Sequence, residues 1–565
     1  MGHPWHAADP AGEFPPPLRG FTDARAELLP DDGEDCHRDR KPALMSSPTA
    51  LLAALAQPRF YRGDEPVITH ETHASRVFVC GTRAFKIKKP VALGFLDYHT
   101  LERRHAACLE EVRVNRELAP DIYLGVCAIV PADGGFELAR EHDTEAVEYA
   151  VEMRSFRERD SLAGLIASSE LTREQLVAVA QRLSDFHRAA PSVPGGGLDE
   201  VLAMWRTNLR ELAGLEPPDS TAILAAERFG EAFLRGHASE LEARRSSGLV
   251  RDGHGDLRCE HVLVRPTVRV VDRVEFDPKL RCTDIACDLA FLTMDLEAHG
   301  RRDAAEELLR EYRDRGPDPG SDALLCFFAA YRAFVRAKVA LIAAGEHEGA
   351  ERAVIRAEAK AMGVLGERLC WRARAPLAIV VCGPAASGKS TLAAEIAHRS
   401  GFSVISSDAV RKGLAGLKAT ERAGPELYTS AVSQATYERL GREAARVLGD
   451  GGGVIVDATC RRRSDRAPLL AHLHRVDASV LAVRCEVGLA LALTRAAHRV
   501  ASAMSASDAT PAIAAAQHED FEALRELQPR SLLELDASQA LGAQVQAITE
   551  ALDERLAEPI ARLAS

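Results

Sequence analysis

The sequence predicts two folds in succession: a bilobal α+β region with a small strand-rich part and a larger helical part, then an α/β doubly wound region. Three observations predict it. Gly383–Thr391 reads G-x-x-x-x-G-K-S-T between an apolar run, Leu377–Cys382, and an amphipathic stretch, Thr391–Ser400. A buried strand, a glycine-rich loop and a helix in that order open a parallel sheet. Upstream, Arg76–Cys80 and Ala84–Lys89 alternate around a Gly81-Thr82-Arg83 turn, and long helical periodicities follow. Ala375-Pro376 marks the junction, and a chain of 565 residues is long enough for two or more cores. The expected division is an extension at 1–45, a first domain at 46–374 and a second at 375–565.

Composition narrows the function classes. Hydrophobic residues at 46% and charged residues at 27% are those of an ordinary soluble protein. A net charge of −12 argues against a broad nucleic-acid surface and leaves room for one local basic groove; only Arg461-Arg-Arg463 offers such a cluster. No apolar run approaches the roughly 18 residues of a membrane span, and the N-terminus lacks a signal-peptide core. The twelve cysteines are scattered without a C-x-x-C pair. Cys382 and Cys485 sit in apolar runs and read as reduced core thiols, which points to the cytoplasm and to no membrane partner.

Along the chain, Phe14-Pro-Pro-Pro17 and Asp31–Lys41 read as disordered, and Met45 is an alternative start before the helical Ser47–Leu55. In the hairpin that follows, Ala84 and Lys86 share one face of the second strand, with Lys88 on that face as the alternative. A strand lysine behind a small residue is the arrangement that holds nucleotide α/β-phosphates. Thr100–Leu118 is an amphipathic helix carrying Glu110 and Glu111, either of which suits pairing with that lysine. Glu148–Met153 reads as a strand at a hinge. The stretch from 160 to 245 is helical, including Thr172–Ala189 and Ala222–Arg244, broken at Pro191–Gly197.

The stretch Gly253-His254-Gly255-Asp256-Leu257, followed by His261 and then by Val270-Val271-Asp272, carries the first region's chemistry. Kinase catalytic loops read H-R-D-L-x-x-x-N, then a strand and a metal-ligating Asp. Asp256 takes the place of the base that accepts the hydroxyl proton, and Asp272 that of the metal ligand. His261 occupies the second metal ligand's place, where an imidazole is a poor Mg²⁺ donor; Glu275 is a compensating candidate. With Asp284 and Asp288-Leu-Ala290, these residues resemble the aminoglycoside phosphotransferase family, which has a protein-kinase-like fold. Phe85–Val91, Leu118–Leu124 and Tyr331–Lys338 narrow the resemblance to bacterial proteins that fuse such a domain to a P-loop, ATP-binding domain. It covers about residues 50 to 540 and implies a phosphotransferase fold without identifying the substrate. Arg332, Arg336 and Lys338 on helix Leu324–Ala344 suit an anionic substrate or a solvated face.

In the second region, Gly383, Pro384, Ala385, Ala386, Ser387, Gly388, Lys389, Ser390 and Thr391 form the phosphate cradle. The glycines let backbone N–H groups face inward, Lys389 reaches the β/γ-phosphates, and the Ser390 hydroxyl meets Mg²⁺. After a strand at Phe402–Ser406, Asp408 and Arg411 resemble the D-x-x-R of polynucleotide-kinase-like and zeta-toxin-like kinases, with Asp408 as base and Arg411 on phosphate; a helix N-cap is the other reading of Asp408. Asp457 ends a third strand, Gly453–Asp457, and resembles the Walker-B carboxylate. Ser479–Cys485 is a fourth strand and Ser531–Asp536 a fifth. Arg495, Arg499 and Ser507-Asp508-Ala509 suit a mobile lid closing on ATP, or helix-terminal charges. ATP and Mg²⁺ are therefore the expected cofactors. The expected function is a bifunctional phosphotransferase with small-molecule or nucleotide acceptors. A regulatory ATP-binding protein with one silent site, and a nucleic-acid-end or toxin-like kinase, are the alternatives.

Overall fold

The computed structural model describes residues 48–557, apart from 73, 94–95, 134, 216–219, 419–420, 422–423 and 502–509. The extension expected at 1–45, with Met45, lies outside the described residues.

The first half is built on a six-stranded antiparallel sheet. Its strands are β1 (Val67–Glu71), β2 (Ser75–Cys80), β3 (Arg83–Lys88), β4 (Tyr123–Ala132), β5 (Gly135–Arg140) and β6 (Glu148–Arg154), in the order β1-β2-β3-β6-β4-β5. Lys86 of β3 pairs with Val77 on one side and Val151 on the other, so the expected lysine sits on an inner strand. Helix α1 (Leu101–Asn115) packs on this sheet. Thr100 caps it by accepting the Arg103 N–H at 3.3 Å. It ends at Asn115, three residues before the end that the periodicity suggests.

A helical body follows: α2 (Arg173–Ala189), α3 (Leu198–Leu215), α4 (Ser220–Gly236), α5 (Ala238–Ser246), α6 (Ile285–Ala298), α7 (Arg302–Arg315), α8 (Asp322–Gly345) and α9 (Gly349–Arg372). The single helix expected at Ala222–Arg244 is two. The break falls at His237, whose ring nitrogen Nδ1 bonds the Phe233 carbonyl at 2.9 Å. Trp205 and Phe233 both stack on Phe327, with centroids 4.8 Å away in each case, at the centre of this core. Neither reading of the α8 face, for an anionic substrate or for solvent, describes Arg332, and its neighbours are paired. Arg332 is buried with its guanidinium 4.7 Å over the Phe291 ring, Arg336 lies 3.7 Å from Glu358, and Lys338 lies 2.7 Å from Glu211.

The second half is a five-stranded parallel sheet. Its elements are β7 (Leu377–Cys382), α10 (Lys389–Ser400), β8 (Ser403–Ser406), α11 (Ser407–Leu414), α12 (Ser430–Gly449), β9 (Gly453–Asp457), α13 (Arg463–Leu473), β10 (Ser479–Glu486), α14 (Leu489–Ala501), α15 (Pro511–Glu519), β11 (Leu532–Asp536) and α16 (Leu541–Leu556). The order is β8-β9-β7-β10-β11, with apolar cores on both faces. The strand β7, buried along its whole length, therefore lies at the centre, as an apolar run in a parallel sheet should. The halves meet where α4 packs on α16. Arg228 and Arg374 both reach the buried Asp553 there, at 3.3 and 3.0 Å. No helix among the described residues is long and apolar enough to cross a membrane.

Candidate functional sites

The first constellation gathers around Glu111, a buried carboxylate on the face of α1 that meets the sheet. Lys86 Nζ lies 2.8 Å from one of its oxygens and 2.9 Å from Asp272 Oδ1. Lys88 Nζ takes the other Glu111 oxygen at 2.6 Å and also pairs with Glu275. The two lysines left open by alternation thus share one carboxylate, and Lys86 is the one that reaches Asp272. Glu110 turns away to Arg113 and Arg281. Burial pulls the Lys86 pKa down, but Asp272 and Glu111 outweigh it and hold the ammonium well above its usual value. The same ion pair, with Lys86 as its leading cause, holds Asp272 well below the carboxylate range. Asp272 stands in left-handed backbone, φ 61°, and its N–H donates to the Tyr123 hydroxyl at 3.1 Å. Glu275, the compensating candidate, has its Oε1 paired with Lys88 and accepting from the Tyr98 hydroxyl at 3.1 Å.

The loop bearing Asp256 hangs from two buried carboxylates of α6. Asp288 accepts the N–H of His254 at 2.5 Å and that of Gly255 at 2.9 Å, and Asp295 accepts the N–H of Cys259 at 2.7 Å. The approach is close: a Cβ on Gly253 would stand 2.3 Å from Asp288 Oδ2, so glycine is required there. His254 is fully buried. It donates from Nε2 to the Val271 carbonyl at 3.0 Å and accepts the Asp256 N–H on Nδ1 at 3.2 Å. Burial pushes its pKa down to about 4, which keeps this neutral tautomer. The Asp256 carboxylate lies 3.0 Å from Arg258. Burial alone would raise its pKa, but Arg258 and His261 bring it below the usual value.

His261 corrects the metal assignment. Its Nδ1 bonds the Asp256 carbonyl at 2.8 Å and its Nε2 faces Arg258 at 3.1 Å, so both ring nitrogens are committed. That arrangement does not suit a cation ligand, although Asp272 Oδ2 is 3.9 Å away. The carboxylates of Asp256 and Asp272 are the hard oxygen donors that Mg²⁺ prefers.

The second constellation lies at the carboxyl edge of the parallel sheet. Gly383, Ala386 and Gly388 have φ of 139°, 63° and 102°, so the loop after β7 curls through left-handed backbone before α10 begins at Lys389. The N–H groups of Ala386, Gly388, Lys389 and Ser390 have no hydrogen-bond partner among the described residues, and neither has the buried Ser387 hydroxyl. A helix N-terminus with unpaired amides around a curled loop fits a phosphate chain. Lys389 Nζ rests on the Pro384 carbonyl at 2.8 Å, the place of a displaceable contact. Burial lowers its pKa, opposed by Asp457 and Asp408. Asp457, at the end of β9, is in register with Val381 of β7 and Ser406 of β8. The exposed Ser390 and Thr391 open α10; Ser390 and Asp457 are oxygen donors suited to Mg²⁺.

Asp408 is not the N-cap of α11, because Ser406 holds that place. The half-exposed Asp408 lies 3.5 Å from Arg411, whose buried guanidinium sits 4.7 Å over the Tyr428 ring. Arg495 on α14 donates to the carbonyls of Ser387, at 3.4 Å, and Ala537, at 3.1 Å, and so lies against the cradle. Arg499 is on the same helix with its side chain outside the described residues, as are Ser507-Asp508-Ala509 and the lid expected there. Arg461 of the basic cluster faces Asp520 at 3.9 Å. Sequence reasoning missed Arg258, Asp295 and Gln517, the last of which accepts the Ala385 N–H.

A family profile described as an AAA domain matches residues 379–524. Uncharacterized proteins of Mycobacterium tuberculosis and Mycobacterium bovis are 34% identical to this chain over 475 residues, covering 80% of it and 90% of each of them. Among solved structures, a choline/ethanolamine kinase family protein from Mesorhizobium loti is 15% identical with a TM-score of 0.36, covering 57% of this chain and 95% of that one. A gluconokinase from Sinorhizobium meliloti is 23% identical with a TM-score of 0.25, covering 32% and 94%.

Proposed function

The chain belongs to one family with these mycobacterial proteins, and from that premise we propose that it is an ATP- and Mg²⁺-dependent phosphotransferase with two nucleotide centres in tandem domains, 46–374 and 375–565. The observation that carries the proposal is the curled loop Gly383–Ser390, in which the N–H groups of Ala386, Gly388, Lys389 and Ser390 have no hydrogen-bond partner among the described residues where α10 begins. Bound there, the nucleotide's Mg²⁺ would be held by Ser390 and Asp457 and would neutralise phosphate charge. Asp408, beyond the edge of β8, accepts the proton of a hydroxyl acceptor, and Arg411 balances charge on the transferred group. In the first domain Lys86, oriented by Glu111, holds phosphates, Asp272 supplies the metal's oxygen ligand and Asp256 receives the proton. The acceptors are small molecules or nucleotides, and the compartment is the cytoplasm.

A second reading of the first centre has its own support. Asp256 is paired with Arg258 at 3.0 Å, and the ring of His261 is committed within the loop. A carboxylate paired with a guanidinium is a weaker base, so this centre would bind nucleotide and regulate without turnover.

Binding of ATP at fixed Mg²⁺ tests the nucleotide centres that both readings require, and phosphoryl transfer in a Lys389→Ala background separates the two readings. Lys389→Ala should remove one component of the stoichiometry, and Asp272→Asn on that background should weaken the other. Asp256→Asn should leave the second component in place. Unchanged stoichiometry in Lys389→Ala overturns the cradle reading. Binding of ATP·Mg²⁺ by both aspartate variants as tight as in their parent overturns the first-domain reading. Once an acceptor is in hand, Asp408→Asn should keep ATP affinity and lower transfer by about 10²- to 10⁴-fold.

A further inference from the structure

The tip of the cradle is gripped from outside by two helices. Ala385 and Ala386 pack against Ala492 and Ala496 of α14 and Ala514 of α15, small residues that let the helices approach the loop backbone. One turn beyond Ala514, on the same face of α15, Gln517 accepts the Ala385 N–H on Oε1 at 2.8 Å. His518, the next residue, pins α15 to the end of β10 by bonding the Val487 carbonyl from Nε2 at 2.9 Å. Gln517 is therefore delivered by a helix anchored on the loop and on the sheet.

The chemistry of this contact is unlike that of the neighbouring amides. Ala385 N–H is already satisfied, whereas the N–H groups of Ala386, Gly388, Lys389 and Ser390 have no partner among the described residues. A carboxamide carries an acceptor and a donor on one planar group. With Oε1 on the Ala385 N–H, Nε2 projects beside the loop tip and has no partner among the described residues. An anion reaching the tip meets two donors there, the Ala385 N–H once Oε1 lets go and the Gln517 NH₂ once the amide turns. A chain of two phosphates seated on the four amides without partners would leave a third to extend toward the tip.

We propose that Gln517 is a positioning residue for the terminal phosphoryl group of a nucleoside triphosphate, exchanging its acceptor contact with Ala385 N–H for a donor contact with that group. The inference deepens the cradle reading above and rests on it. Gln517 would then set the preference for triphosphate over diphosphate, while contributing little to diphosphate affinity.

The test is equilibrium binding of ADP and of a non-hydrolysable ATP analogue, each with Mg²⁺, to the full chain. The measured component is the one that Lys389→Ala removes. Gln517→Ala should lower the analogue-to-ADP affinity ratio by about tenfold, the scale of one hydrogen bond to a charged group, with ADP affinity within about twofold of the parent. Gln517→Glu separates positioning from loop support. A carboxylate can still accept the Ala385 N–H, but it offers no donor to phosphate and repels it, so the ratio should fall further. A ratio unchanged in both variants, or kept by Glu and lost by Ala, overturns the inference and leaves Gln517 as loop support. Equal losses for both nucleotides overturn it too. If Lys389→Ala removes no component, the cradle reading fails and takes this inference with it.

Discussion

Replacing Asp288 by asparagine should release the Asp256 loop from its anchor. The carboxylate is 1% exposed and accepts two backbone N–H groups, from His254 at 2.5 Å and Gly255 at 2.9 Å. Burial would raise its pKa, yet the His187 imidazole, with Nε2 3.5 Å from Oδ2, and the His254 N–H hold it well below the carboxylate range. It is thus an anion doing what only an anion of this shape does: both oxygens accept. Asparagine keeps one acceptor and turns an NH₂ toward the other N–H. One buried donor then loses its partner, at about 1–3 kcal/mol, and the surviving bond loses its charge assistance, about another 1 kcal/mol. The sum is about 2–4 kcal/mol, delivered at residues 254–255. Because the chain has two separate cores, global unfolding is not expected to be two-state, and the local readout is the better one. Hydrogen exchange of the peptide spanning 250–260 should accelerate by about 30-fold or more, since 1.4 kcal/mol is a factor of ten. Exchange at residues of β7 should not change. If the asparagine variant protects 250–260 as well as its parent does, Asp288 is not the anchor of the loop.

Two further outcomes follow from buried charge. His254 is neutral in the fold, with its pKa pushed down to about 4 from the ordinary 6.5, so the unfolded chain binds the extra proton between those values and stability falls as pH drops through that window. From pH 6.5 to 5 the loss should be about 1.6 kcal/mol more in the parent than in His254→Gln, read by hydrogen-exchange protection of the peptide spanning 250–260 at each pH after correction for the intrinsic rate; parallel profiles would refute it. Asp553→Ala should leave the buried Arg374 without its carboxylate and Arg228 with the Glu550 carboxylate alone, weakening the junction of the halves by about 3–5 kcal/mol. Limited proteolysis near Ala375 reports it, and equal cleavage rates would speak against it.

Much of the fold was legible because its signals are short-range. The alternation around Gly81 and the apolar Leu377–Cys382 are carried by adjacent residues, and β2, β3 and β7 lie where those patterns put them. Boundaries were less legible. The periodicity of Ala222–Arg244 runs on through His237, but the helix does not, and nothing in the period reports that His237 folds back on the Phe233 carbonyl. The role of Arg332 was hidden for a similar reason. A basic residue on an amphipathic helix reads as solvated, and only the packing of α8 against α6 puts its guanidinium over Phe291.

The site divides along the same line. Lys86, Asp256, Asp272 and the cradle could be singled out because each sits in a motif contiguous in sequence, where residue type and spacing carry the chemistry. Their supports could not. Glu111 was one of two adjacent glutamates, and only the phase of α1 against β3 chooses it over Glu110. Asp295 and Gln517 have no motif, and each is 36 or more positions from the backbone group it holds: Asp295 the Cys259 N–H at |i−j| of 36, Gln517 the Ala385 N–H at 132. They are found by asking of each motif loop where its buried N–H groups go. A tight functional loop pairs only some of its own amides, as Ser387 N–H does with the Pro384 carbonyl, so carboxylates or carboxamides from distant elements must hold the rest, or a ligand must. In the Asp256 loop α6 supplies the acceptors. In the cradle one amide is held by Gln517 and four have no partner among the described residues, and that difference is what marks the cradle as built for an anion.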